Sequence, residues 1–76
     1  MRKTNNESKS TFSKNLKSIR LSKRMSQNDV ATALSIPIST YANWEQGRTE
    51  PSTEDILNLI KFFEIEANDL FDTENY

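Results

Sequence analysis

At 76 residues, with 34% hydrophobic and 28% charged side chains, the chain is one small domain with room for a single core and none for a deep substrate cleft. It contains no cysteine and no histidine, which excludes disulfides and thiolate metal sites and removes the commonest general base. The formal charge of −1 conceals a polarity: up to Met25 eight basic residues face only Glu7, whereas from Ser26 onward ten acids face only Arg48 and Lys61.

That distribution lets a basic end meet phosphate while an acidic end faces away. Apolar runs are only a few residues long, and MRKTNNESKST lacks the apolar segment of a signal peptide, so a soluble, cytoplasmic protein with no membrane contact is expected. Residues 1–10 are polar and basic with almost nothing to bury, which predicts a flexible arm. A folded domain is expected over 11–72 and an acidic tail over 73–76.

Helix 1 is predicted from Phe12 to about Arg24, because Phe12, Leu16 and Ile19 recur at steps of four and three; Ser10 or Thr11 is its candidate N-cap. Ser26-Gln27-Asn28-Asp29 has the spacing of a capping box and opens helix 2, which runs to Leu34 with Val30, Ala31 and Leu34 inward. Ser35-Ile36-Pro37 is a tight turn with Ile36 as a core plug, and Pro37 suits the start of the next helix. Helix 3 runs from Ile38 to Gln46. Tyr41, Trp44 and Glu45 share one face and Ser39, Ala42, Asn43 and Gln46 the other, and Gly47, the only glycine, can end it in the left-handed conformation. Two short helices joined this closely, at about 26–46, form a helix-turn-helix, whose second helix can enter a DNA major groove.

After a loop over Arg48-Thr49-Glu50-Pro51, Ser52-Thr53-Glu54-Asp55 is a second capping box opening helix 4. Its buried face is expected to carry Ile56, Leu59, Ile60 and Phe63, with Leu57 and Phe62 on the flanks and an end near Glu64. Ile65 is a core residue of the connection. Ala67 to Phe71 is long enough for a fifth helix presenting Leu70 and Phe71.

With these residues placed, the chain resembles the lambdoid-repressor, Cro and xenobiotic-response-element (XRE) group of helix-turn-helix domains. The similarity runs from about Phe12 to Phe71. It is carried by Leu16-Lys17-Ser18-Ile19-Arg20, Met25-Ser26-Gln27, Val30-Ala31, Trp44-Glu45-Gln46-Gly47, Pro51-Ser52 and Asn68-Asp69-Leu70-Phe71. The resemblance implies an all-α, five-helix lambda-repressor-like fold that binds operator DNA as a homodimer, without cofactor or metal. It implies a structural salt bridge between Arg20 and Glu45. It places Ile38, Ser39, Ala42 and Asn43 at base edges and Gln27 at a phosphate, while charge adds Arg48 and Lys14 as phosphate candidates. Two departures stand out: Ser35 where the family often has glycine, so that the turn is strained or differently shaped, and Pro37 where many members carry a capping Ser or Thr.

The expected function is transcriptional regulation, as a phage or bacterial repressor occupying its operator. A protein-interaction module of the same fold, of antitoxin or coactivator type, with the acidic C-terminal surface binding a protein partner, is the alternative. Nothing in the sequence pairs a nucleophile with a base, or forms a metal set or phosphate-cradling loop, so no enzymatic activity is expected.

Overall fold

The computed structural model describes residues 4–72, and the side chains of residues 11–72. Among them are five helices: α1 (Thr4–Ser22), α2 (Gln27–Leu34), α3 (Ile38–Gln46), α4 (Thr53–Phe63) and α5 (Ala67–Phe71). The principal difference from the sequence reading is at the start. α1 begins at Thr4, inside the segment expected to be an arm, and passes through Ser10 and Thr11 without a cap. Residues 4–10 contain no glycine or proline, so no residue there forces the backbone out of a helix that the buried Phe12–Arg20 turns already nucleate. The expected tail over 73–76 lies outside the described residues.

Helix starts follow the sequence closely. The Ser26 hydroxyl accepts from the Asp29 N–H and the Asp29 carboxylate accepts from the Ser26 N–H, each at 2.9 Å. Ser52 and Asp55 repeat the exchange at 3.1 Å. Those bonds satisfy donors that a helix leaves orphaned in its first turn. They also hold the exposed Asp29 carboxyl below its ordinary value, chiefly through the Ser26 backbone N–H.

The ends of α1 to α4 share one device. Arg24, Ser35, Gly47 and Glu64 all take positive φ, at 60°, 61°, 77° and 57°. In each case the following residue's N–H returns to a carbonyl five positions back: Met25 to Arg20, Ile36 to Ala31, Arg48 to Asn43 and Ile65 to Ile60. This is the Schellman arrangement, in which the residue after the left-handed position commonly packs against the helix it has just ended. Met25, Ile36 and Ile65 do so and join the core. Arg48 is the exception and is exposed. Ser35 therefore keeps the geometry a glycine would take, and the departure costs strain and leaves the shape of the turn unchanged.

The core consists of Leu16, Val30, Ala31, Tyr41, Trp44, Leu59, Phe63 and Leu70, one or more from every helix. The 1%-exposed Ala31 carries too little side chain to hold α2 away from its neighbours. α1 packs on both α3 and α5, so it spans the domain and orients its two ends. Three polar residues of α1 are buried with the apolar ones: Ser13, Asn15 and Arg20.

Candidate nucleic-acid interface

The orientation of α3 is set by side chains from α1. The Ser13 hydroxyl donates to the Trp44 carbonyl at 2.9 Å, near the C-terminal end of α3. Two turns further along α1, Arg20 Nε donates to Glu45 Oε2 at 2.7 Å and Nη2 to Glu45 Oε1 at 3.1 Å. This bidentate pair is desolvated, with side-chain exposures of 9% for Arg20 and 2% for Glu45. Arg20 Nη1 donates to the Met25 carbonyl at 2.8 Å, so the same guanidinium also closes the turn between α1 and α2. A planar fork is what makes both attachments possible at once.

Burial alone would raise the Glu45 carboxyl, but Arg20 first, then the neighbouring Tyr41 hydroxyl and the Gln27 amide, outweigh it and hold the group below the usual carboxylate range. The Arg20 guanidinium is correspondingly raised by Glu45. The Tyr41 hydroxyl lies beside this pair and is buried without completing a hydrogen bond; burial pushes it well above the ordinary phenol range. Its ring meets Trp44 edge-on, with centroids 6.0 Å apart, so both aromatics serve the core and neither offers an open stacking face.

With that face of α3 locked inward, the opposite face is presented outward. Ile38 is 47% exposed although apolar. Ser39 and Gln46 are exposed, and Ala42 and Asn43 are half-buried on the same side. α3 begins at Pro37 with no side-chain cap, and its first turn carries no acid to repel an anion. Arg48 and Lys14 are both exposed, and α1 residues Lys14, Ser18 and Leu21 form the side of that helix away from the core.

Gln27, the phosphate position that the resemblance implies, also has a partner within the protein. Its side chain is half-buried, and its Nε2 donates to Glu45 Oε1 at 3.0 Å. Lys17 is the residue the sequence reading passed over. It lies four positions after Ser13 and three before Arg20, so it sits in the same helical row as the two side chains that grip α3, yet it is exposed. Lys17 thus sits nearer the α3 side of α1 than Lys14 does. The signal was present in the spacing, but only once Ser13 and Arg20 were known to meet α3.

Two short helices, α2 and α3, joined by a tight turn, with the second anchored on one face and exposed on the other, make a helix-turn-helix. A family model described as Helix-turn-helix matches residues 16–70, and the chain belongs to that family, the XRE type that its motifs resemble. Searches of curated proteins and of solved structures return no match. DNA binding in transcription regulation is the work of the family. Among the described residues no helix is long and apolar enough to cross a membrane.

Proposed function

We propose that this protein is a sequence-specific repressor that occupies a phage or bacterial operator as a homodimer in the cytoplasm. The observation that carries the reading is the division of α3: Tyr41, Trp44 and Glu45 hold it, and Ile38, Ser39, Ala42 and Asn43 are left to meet base edges. Asn43 can bond adenine bidentately, Ser39 can donate or accept, and Ile38 can contact a thymine methyl, which favours an A·T-containing half-site. Gln27, Arg48 and Lys17 supply phosphate contacts, with Lys14 a weaker candidate because of the direction it faces. Since α3 carries no positive charge, these residues provide grip and α3 provides choice.

For dimerisation, α5 is the element of choice. Phe71 is 50% exposed and its ring lies 5.5 Å from that of Phe12, so the two form an apolar patch at the surface. Tyr76, the other apolar group expected to contribute, lies outside the described residues.

The test is duplex-DNA affinity against salt. Each neutralised phosphate contributes a slope of about −0.9 in log K against log salt. The expected result is a steep linear fall, reduced by about one unit in Arg48→Ala and in Lys17→Ala. No binding at low salt would overturn the reading and favour a protein-interaction role for the acidic C-terminal surface.

A further inference from the structure

Glu45 does more than pair with Arg20. Its Oε1 accepts from two donors, Arg20 Nη2 at 3.1 Å and Gln27 Nε2 at 3.0 Å, and so joins α1, α2 and α3 at one carboxylate oxygen. The bond also settles which way the Gln27 amide faces. A carboxylate offers only acceptors, so the amide nitrogen must face Glu45 and the amide oxygen cannot. Among the described residues the second N–H on that nitrogen meets no acceptor, and Gln27 remains partly open to solvent.

We propose that Glu45 is a positioning residue for DNA binding: it fixes the Gln27 side chain so that its second amide N–H is presented to a phosphate before DNA arrives. The inference rests on the DNA-binding reading above and deepens it. A glutamine side chain loses several torsions and one of two amide orientations when it binds a phosphate. Fixing them in the free protein removes that ordering cost from the association step. Donation to a carboxylate also polarises the amide group, which strengthens its second N–H as a donor. The same carboxylate thus serves the scaffold through Arg20 and the ligand through Gln27.

Glu45→Gln disturbs both roles, and measuring it with and without Gln27 separates them. It keeps the volume of the side chain but leaves one acceptor oxygen for three N–H donors, two from Arg20 and one from Gln27. With its oxygen kept by Arg20 Nε, the new amide nitrogen at the Oε1 position faces both Arg20 Nη2 and Gln27 Nε2, donor against donor, and turns the Gln27 amide over. Affinity for a mixed-sequence duplex at low salt is measured for the wild type, Q27A, E45Q and the double variant, at a temperature where circular dichroism shows each one folded. The expected result is a loss of roughly two- to tenfold for E45Q in the wild-type background and little further loss in Q27A. Equal losses in both backgrounds would overturn the proposal and leave Glu45 a support for α3 alone. Failure of the wild type to bind any duplex would instead overturn the DNA-binding reading and the proposal with it.

A second measurement is independent of whether E45Q folds. In the wild type, one Gln27 side-chain amide proton should be displaced downfield by the carboxylate and stay there when duplex is added, while the second shifts as it meets the phosphate. Resonances at the positions of a freely rotating glutamine would overturn the proposal.

Discussion

Replacing Glu45 by alanine should cost this domain much of its stability, and the geometry allows the magnitude to be worked out. The substitution removes both acceptors of the Arg20 fork and leaves a guanidinium on a residue only 7% exposed, with the Met25 carbonyl as its one remaining partner. Breaking a buried pair in this way costs about 3–5 kcal/mol, because the surviving charge stays desolvated. A domain of this size has about 4–11 kcal/mol in total. The melting temperature should therefore fall by at least ~12 °C and the urea midpoint by roughly 3 M. Fluorescence of Trp44, 4% exposed in the folded state, reports the transition. pH supplies an independent check. Glu45 is held below the ordinary carboxylate range in the fold, so its stabilisation is fully present above the unfolded value of about 4.3 and is lost as pH falls through the lower folded value. E45A should abolish that part of the acid limb. The double variant Arg20→Met/Glu45→Met should recover much of the loss, since it removes the stranded charge as well. An E45A loss below about 1 kcal/mol would refute the reasoning, because it would mean that the pair is effectively solvated.

Ser35→Gly should stabilise the protein by about 0.5–1 kcal/mol, since glycine accepts the φ of 61° without the Cβ penalty, and a thermal melt that is unchanged or lower would refute this. Asn15→Ala should cost about 1–3 kcal/mol and accelerate amide exchange in α5. Asn15 Nδ2 serves the Leu70 carbonyl at 2.9 Å and the Asp72 carbonyl at 3.2 Å, and undiminished protection of α5 would count against this clamp. Tyr41→Phe should be neutral or slightly stabilising, because the buried hydroxyl completes no hydrogen bond; a loss above about 1 kcal/mol would show that it bonds Glu45 in solution. Asn43→Ala should weaken binding to a site selected from random duplexes by about 1–3 kcal/mol and binding to mixed-sequence DNA hardly at all. Equal losses on both would make Asn43 a positioning contact.

Local signals are enough to place α2 to α5 and the inward face of each helix. Capping boxes at Ser26 and Ser52, the glycine at 47 and the apolar steps through Leu16, Val30, Tyr41 and Leu59 are local signals, written within one or two turns of the backbone they control. The Arg20–Glu45 pair came from family resemblance, since no local rule joins residues 25 positions apart. At the start of α1 the sequence points the wrong way: a polar stretch with almost nothing to bury predicts an arm over 1–10, yet the helix begins at Thr4. Only the tertiary structure decided what the buried polar side chains are for. Ser13 and Asn15 look like surface residues in the sequence, yet they serve carbonyls of α3 and α5, 31 and 55 positions away. The same holds for Gln27, which belongs to Glu45 as much as to a phosphate. Periodicity records that a face is inside but not which element that face meets. A polar side chain's role is set by a donor or acceptor that arrives only when the helices pack.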